Sequence, residues 1–201
     1  GLCIGAYRDF LLTINDHSII KERCEKIFLM NDSNLLVKSE SFFTNYLETI
    51  ANNMNENVPT LTGATDSVQD GVYHLQTYLI GANKALLNHP TWINFWRNLP
   101  ITNDKVKVIE TGEIQLTKTL IEAGVKIWVK HPLSRLLTHY PQSADDISSF
   151  GISLIDQFNP SIHAWKSLLL DGSPLYKKQL IFEIPKQPLP LIELGQSLQT
   201  D

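Results

Sequence analysis

Three polar residues that could carry chemistry, Asn31, Asp32 and Ser33, follow directly on the apolar run 27–30. A short run that is apolar on both faces predicts a buried strand of a parallel sheet, and ligands of open α/β sheets bind beyond the carboxyl ends of such strands. The Asp32 carboxylate could hold a divalent cation, whose charge would neutralise a departing diphosphate. Asn-Asp-Ser is also ordinary turn chemistry, and on this stretch alone a turn is the better interpretation.

Two further carboxylates are candidates for a general base. Glu113 opens a predicted helix over 113–123, and a helix N-terminus favours the ionised form of a carboxyl group. The alternative for Glu113 is a capping role in the first turn of that helix. Asp66 follows a predicted strand at 59–64 and is the rival base.

Polar side chains in the predicted strand 73–80 could bind a substrate. His74 could contact a diphosphate or an acceptor, and a buried histidine with satisfied hydrogen bonds is an equally good interpretation. Gln76 could hydrogen-bond to sugar hydroxyl groups, or could simply occupy one face of an alternating strand.

Alternating elements must position these residues. Short apolar runs alternate with amphipathic stretches, which predicts an α/β fold with a largely parallel sheet flanked by helices. The predicted strands are 27–31, 59–64, 73–80, 106–109 and 125–129. The predicted helices are 4–14, 39–54 with Ser39 as N-cap, two short pieces of 84–99 that break at Pro90, and 113–123 ended by Gly124.

From about residue 152 the pattern is helical. Three helices are predicted, at 152–158, 161–170 and 174–182. A polar linker at 142–149 precedes them, and the proline-containing tail after Pro185 is expected to be extended. The sequence therefore predicts a sheet domain at 1–141 and a helical C-terminal extension at 142–201.

Bulk properties exclude several classes of protein. The chain has 201 residues, 43% of them hydrophobic, and a net charge of −4, so it carries no basic field for nucleic acid. Its apolar runs are too short to span a bilayer. The two cysteines have no metal-binding spacing, which indicates reduced thiols and a cytoplasmic protein. The first residue is Gly1, from which we expect the chain to be a piece of a longer protein.

An ordered series of short blocks resembles the rhamnan synthesis protein F family, bacterial glycosyltransferases of surface polysaccharide assembly. The series runs through nearly the whole chain, and the order of its blocks is more specific than any one of them. The blocks are Gly1-Leu2-Cys3-Ile4-Gly5-Ala6-Tyr7, Asn31-Asp32-Ser33, Thr62-Gly63-Ala64-Thr65, His74-Leu75-Gln76-Thr77-Tyr78, Gly112-Glu113-Ile114-Gln115-Leu116-Thr117, Asn159-Pro160 with Trp165, and Ser173-Pro174-Leu175-Tyr176-Lys177.

The order of elements is also similar to that of inverting glycosyltransferases with the GT-A fold. These resemblances imply a nucleotide-sugar donor, which carries rhamnose or another hexose, and a glycan or lipid-linked glycan acceptor. They imply that Asp32 is the metal or diphosphate residue, with Mg²⁺ or Mn²⁺ as the cation, and that Glu113 is the catalytic base with Asp66 as its rival. The remaining donor-binding candidates are Asn31, Ser33, His74 and Gln76.

The resemblance also implies a location and leaves one alternative open. It implies the cytoplasmic face of the bacterial membrane, with peripheral association through other parts of a longer protein. The family carries an Asp where this chain has Cys3, and a nucleotide-binding half ahead of the first block. We therefore expect a half-open donor pocket that binds nucleoside diphosphates poorly in the isolated chain. The alternative function is a noncatalytic carbohydrate-binding or scaffold domain of a polysaccharide assembly protein.

Overall fold

A computed structural model describes residues 3–16, 22–140 and 155–182 of the chain. Its strands are β1 (Lys26–Met30), β2 (Asn34–Leu36), β3 (Thr60–Ser67), β4 (His74–Leu75), β5 (Leu79–Asn83), β6 (Lys126–His131) and β7 (Leu175–Lys177). Its α-helices are α1 (Cys3–Asp16), α2 (Glu40–Asn52), α3 (Lys84–Leu87), α4 (Pro90–Asn98), α5 (Lys105–Val108), α6 (Gln115–Glu122), α7 (Leu133–His139), α8 (Pro160–His163), α9 (Trp165–Leu170) and α10 (Gln179–Phe182). A π-helical turn, Ile109–Ile114, joins α5 to α6, and 3₁₀ turns span Gln69–Gly71 and Ile155–Gln157.

The central sheet is mixed rather than largely parallel. β3 pairs in parallel with β6 and antiparallel with β5, while β5 pairs antiparallel with β1 and β4 pairs antiparallel with the end of β3. Therefore β1, β3 and β6 run in one direction and β5 runs against them. A parallel return needs a crossover of about a dozen residues or more. Only residues 68–73 separate β3 from β4, so the chain has to turn back as a hairpin.

Two predictions of element type are wrong. Residues 106–109 form α5 and the start of the π-helical turn, because the Asp104 side chain accepts hydrogen bonds from the backbone N–H groups of Val106 and Lys107 and so starts a helix. Periodicity alone cannot assign an apolar run that short. Within the predicted helix 174–182, β7 pairs antiparallel with β2, and helix forms only at α10.

Other boundaries agree with the sequence. Ser39 is the N-cap of α2 and accepts a hydrogen bond from Phe42 N, and Pro90 is the first residue of α4. Gly124 follows the end of α6 with a φ of 76°, a left-handed conformation that glycine adopts without strain. The linker at 142–149 and the tail after Pro185 lie outside the described residues, so the domain boundary at 141 stays a prediction. Of the predicted helix at 152–158, the described residues form the 3₁₀ turn.

Helices cover both faces of the central sheet. On one face the buried residues of β1, β3 and β5 pack against α1, α4 and α6; they include Ile27, Leu61, Ile80, Leu11, Trp96 and Leu120. On the other face Ala64 and Leu79 pack against Tyr46 and Ile50 of α2. None of the helices in the described part of the chain has the length and hydropathy of a membrane-spanning segment.

Gly81 in β5 sits where the sheet is most tightly packed. A Cβ atom at this position would lie 2.6 Å from both the Met54 terminal methyl and Thr62 Oγ1, and 2.8 Å from the Phe28 ring. These contacts come from α2's C-terminal side, from β3 and from β1, so no single side chain can relieve them all. Glycine at this position is therefore a packing requirement of the sheet.

We expect Gly81→Ala to lower the free energy of unfolding by about 1–3 kcal/mol through overpacking. Gly5→Ala is the matched control, because the nearest atom to its Cβ would be Ile101 Cδ1 at 3.5 Å. Since alanine favours the helix interior, the control should be neutral or should stabilise by up to about 1 kcal/mol. Urea unfolding measures both variants, and equal midpoints would contradict the packing argument.

Candidate functional site

The polar triplet after β1 forms a tight turn whose middle residue faces solvent. Asn31 Oδ1 accepts hydrogen bonds from Ser33 N at 3.0 Å and from Ser33 Oγ at 2.5 Å. Such a side-chain-to-backbone bond fixes the turn. The Ser33 carbonyl accepts a hydrogen bond from Lys178 N at 2.9 Å, which ties the turn to the segment that follows β7. Asp32 is exposed on this anchored turn.

Glu113 lies in the π-helical turn ahead of α6 and is half-buried. Its Oε1 accepts a hydrogen bond from Thr77 Oγ1 at 2.9 Å, and the Thr77 carbonyl accepts one from the Tyr7 hydroxyl at 3.3 Å. The backbone is held as well, because Thr117 Oγ1 donates to the Glu113 carbonyl and accepts from Leu75 N. No side chain caps the N-terminus of α6, so the Glu113 carboxylate does not have a capping role. Its orientation is set by Thr77, which follows β4.

The Asn31–Ser33 turn and Glu113 are both bonded to the adjacent residues Thr77 and Tyr78. Asn31 N donates to the Tyr78 carbonyl at 3.1 Å, while Thr77 Oγ1 donates to Glu113 and the Thr77 carbonyl accepts from the Tyr7 hydroxyl. Burial raises the pKa of Tyr7 well above its ordinary value, and electrostatic interaction with Cys3, Glu113 and Asp32 raises that pKa further. The two carboxylates, which are far apart in sequence, therefore belong to one region of the fold, which we call the Asp32–Glu113 site.

Lys177 of β7 completes the Asp32–Glu113 site. Its Nζ donates to Ser33 Oγ at 3.0 Å and lies 5.5 Å from the centroid of the Tyr78 ring. Burial lowers the pKa of Lys177, the charge of Glu113 raises it, and the charge of Lys105 lowers it. From the sequence alone, Lys177 and Lys178 could approach a phosphate, but a solvated helix face is the default interpretation of both. In the structure Lys177 is instead a half-buried residue of a strand.

The other predicted site residues are held by internal partners. His74 is buried and its Nδ1 lies 2.8 Å from the Val72 carbonyl. Gln76 Oε1 accepts from Thr65 Oγ1 at 2.8 Å, and Gln76 Nε2 donates to Asn159 Oδ1 at 2.9 Å. These two residues support the hairpin that carries Thr77, and the described contacts join neither of them to Asp32 or Glu113.

Asp66 caps helix α7. Its Oδ1 accepts a hydrogen bond from Leu133 N at 2.6 Å. Burial raises the pKa of Asp66, while the hydrogen bonds from Leu133 N and from the Tyr73 side chain and the charge of His74 lower it. Asp66, the rival of Glu113 for the role of base, is thus a buried residue at the end of β3 that holds the start of α7.

A second cluster of ionisable side chains, His131, Arg135 and Asp171, joins β6 and α7 to the residue that follows α9. His131 Nδ1 lies 2.7 Å from Asp171 Oδ2, and both side chains are 1% exposed, while Arg135 Nη2 lies 2.6 Å from Asp171 Oδ1. The His131 ring stacks on Tyr46 at 5.6 Å between centroids. Burial lowers the pKa of His131, and the hydrogen bond and charge of Asp171 oppose that shift. No sequence motif links positions 131 and 171, so nothing in the sequence predicted this cluster.

The side chains around Asp32 decide whether this residue could hold a metal ion. Within residues 3–16, 22–140 and 155–182, no three His, Cys, Asp or Glu side chains are grouped so that they could hold a metal ion. Mg²⁺ is commonly held by one or two carboxylates together with substrate phosphates. The exposed Asp32, with the oxygen-bearing side chains of Asn31 and Ser33 beside it, fits binding of a cation together with substrate phosphates.

Comparison with known proteins identifies the family. The sequence profile of rhamnan synthesis protein F matches residues 6–192, and the chain belongs to this family. It is 31% identical over 145 residues to the virulence protein VirA of Vibrio anguillarum, an alignment that covers 66% of this chain and 47% of VirA. It is 26% identical over 136 residues to the uncharacterized protein y4gN of Sinorhizobium fredii, which covers 63% of this chain and 32% of y4gN.

The chain thus spans less than half the length of the curated relatives it matches. No solved structure matches it. Membership in the family supports a role related to polysaccharide synthesis, and the fold is established here as mixed α/β without a structural relative that would define it further.

The buried His131 makes stability depend on pH. Its folded pKa is below the ordinary value of 6.5, so the stabilisation it gives is fully present above pH 6.5 and is lost as the pH falls from there towards the folded pKa. We expect His131→Asn to be less stable than the native chain above pH 6.5 and the difference to shrink at lower pH. Urea unfolding between pH 5 and 8 measures it. The exposed His139→Gln serves as control, and a constant difference for His131→Asn would contradict the assignment.

Proposed function

We propose that the chain is part of a glycosyltransferase that moves a sugar from a nucleotide-sugar donor to a growing bacterial cell-surface polysaccharide. The observation that carries the proposal is the set of hydrogen bonds that joins the turn of Asp32, Lys177 and Glu113 to one another through Ser33, Thr77 and Tyr78, in a chain of the rhamnan synthesis protein F family. Capping and turn roles alone would not require these charged groups to meet.

Glu113 is the general base of the proposed reaction. An acceptor hydroxyl group attacks the anomeric carbon of the donor sugar, and its proton passes to the Glu113 carboxylate. A new bond forms between the acceptor oxygen and the anomeric carbon while the bond from that carbon to the diphosphate oxygen breaks. A positioned base of this kind contributes about 10²–10⁴-fold. Thr77 holds one carboxylate oxygen, and the other is left for the acceptor.

Asp32 serves the departing diphosphate in this proposal. It would hold a divalent cation such as Mg²⁺ or Mn²⁺, which supplies positive charge to the leaving group when bound. Asn31 and Ser33 shape the turn that presents Asp32. His74 and Gln76 act indirectly, since they order the hairpin that carries Thr77. We assign the base to Glu113 and not to Asp66, because the Asp66 carboxylate is occupied by the cap of α7.

The proposal covers rhamnose or another hexose as the transferred sugar and a glycan or lipid-linked glycan as the acceptor. It places the protein at the cytoplasmic face of the bacterial membrane, attached through other parts of a longer chain. Family membership and the printed name of the Vibrio anguillarum relative, a virulence protein, are its support.

A noncatalytic carbohydrate-binding or scaffold domain is the second candidate, and one observation favours it. Cys3 stands where the resemblance has an Asp, and it lies one turn before Tyr7 in α1, on the same face of that helix. A thiol thus stands beside Tyr7 where the resemblance has a carboxylate. Metal-dependent binding of a nucleoside diphosphate to the full-length protein would favour the catalytic candidate over the binding domain.

Glu113→Gln in the full-length protein should abolish sugar transfer and leave donor binding unchanged, because it removes the base and keeps the side-chain shape. Transfer is measured with radiolabelled donor, and donor binding by calorimetry. Glu110→Gln, an exposed change in the same π-helical turn, is the matched control and should keep full activity. An active Glu113→Gln enzyme would contradict the base assignment.

Asp32→Asn in the full-length protein should weaken the binding of the metal and of the donor, since it removes the one carboxylate proposed to hold the cation. The expected sign is a higher Mn²⁺ concentration for half-maximal activity, measured by metal titration. Asp70→Asn, at an exposed position in the 3₁₀ turn, is the control. An unchanged metal titration would contradict the assignment of Asp32 as the metal residue.

A further inference from the structure

The ammonium group of Lys177 is held in place but is not neutralised. An ammonium carries three N–H donors, and the Ser33 hydroxyl takes one of them. In the described part of the chain no carboxylate lies within ion-pair distance of Lys177 Nζ. Glu113 attracts this charge electrostatically without contacting it. Within the described residues the Lys177 ammonium therefore keeps N–H donors that could bind a ligand, and it has no ion-pair partner.

The surroundings of Lys177 differ from those of an ordinary surface lysine. The side chain is half-buried, and its Nζ lies over the Tyr78 ring, which is itself buried. Burial of a positive charge costs free energy unless a counter-charge offsets it. Lys105 adds a second positive charge that repels the first. Such a pair of cations is expected to attract an anionic ligand.

We propose that Lys177, with Ser33, forms a binding subsite for the diphosphate group of a nucleotide-linked substrate. Lys177 donates to a phosphate oxygen through an N–H group that Ser33 does not use. The subsite deepens the function proposed above and rests on it for the identity of the ligand. It is built from β7 and the turn after β1, which are separated in sequence and joined by the β2–β7 pairing.

The pairing of β2 with β7 positions the residues of the subsite. The pairing of Asn34 with Lys177 sets the register of these two short strands. That register brings Lys177 next to Ser33, the residue just before β2. A shift by one residue would turn Tyr176 towards the site in place of Lys177. The Lys178 backbone N–H, which donates to the Ser33 carbonyl, fixes the same register from the other side.

Inorganic pyrophosphate is the probe, because it carries the diphosphate without the sugar or the nucleoside. The first measurement uses the native chain: lysine side chains are reductively methylated with and without pyrophosphate, and mass spectrometry quantifies each site. We expect protection of Lys177, with no protection of the adjacent Lys178. This measurement requires no variant and is not affected by a folding defect.

The second measurement compares Lys177→Gln with Lys178→Gln, the matched control on the neighbouring residue. Titration followed by NMR should show pyrophosphate binding to the native chain and to Lys178→Gln. The dissociation constant of Lys177→Gln should rise about tenfold or more, the loss expected for a hydrogen bond to a charged group. Circular dichroism and urea unfolding establish that both variants are folded.

The outcomes separate this subsite from the proposed function. Equal affinity of Lys177→Gln and the native chain for pyrophosphate, equal methylation of Lys177 in both samples, or no binding at all would each overturn the subsite. Loss of pyrophosphate binding in Lys177→Gln, together with a fully active Glu113→Gln full-length enzyme, would support the subsite and refute the catalytic proposal. Loss of pyrophosphate binding with an inactive Glu113→Gln enzyme would support both.

Discussion

The complete burial of β3 is the constraint on which the rest of the structure depends. Every residue of this strand is buried, and Thr60, Thr62, Thr65, Asp66 and Ser67 are polar. A buried polar group without a partner costs about 1–3 kcal/mol, so the hydrogen bonds of these side chains help to fix the position of neighbouring segments. Thr62 Oγ1 donates to the Gly81 carbonyl of β5, Thr65 reaches Gln76 and Tyr78, and Asp66 caps α7.

The candidate site follows from this strand by a short chain of contacts. Because Thr65 holds both Gln76 and Tyr78, the intervening Thr77 has a fixed backbone. The Thr77 carbonyl accepts from Tyr7, and its hydroxyl donates to Glu113. The carboxylate proposed as a base is thus oriented by a polar network that begins in the middle of the sheet. A site built on such rigid elements keeps its geometry better than one carried by a free loop.

The elements with a strong local signal could be predicted from sequence. The strands at 27–31, 59–64 and 125–129, the N-cap at Ser39 and the glycine at 124 all rest on local pattern, and the structure has them. The prediction of a strand at 106–109 is wrong because the N-cap at Asp104 outweighs the β-propensity of a run exposed to solvent. The sequence predicted Glu113 at the start of a helix. In the structure it lies in a π-helical turn, where Thr77 donates to its carboxylate.

The parts that could not be predicted depend on pairing between distant segments. β7 lies within an amphipathic stretch that is consistent with helix, and its partner β2 has only three residues, so neither strand carries its own signal. The Lys177–Ser33 contact joins residues 144 positions apart, and the His131–Asp171 pair joins residues 40 positions apart. Short strands of this kind are selected by tertiary contacts and not by local propensity.

The charges at the site also limit what it can bind. Two carboxylates surround a buried phenol whose raised pKa keeps it neutral, so on their own Asp32 and Glu113 would repel a diphosphate. Lys177, which donates to Ser33 beside Asp32, supplies a positive charge that offsets this repulsion. In the function proposed above, a diphosphate would need that positive charge and an acceptor hydroxyl group would need the Glu113 carboxylate. The site therefore combines charges of both signs, as the proposed transfer reaction requires.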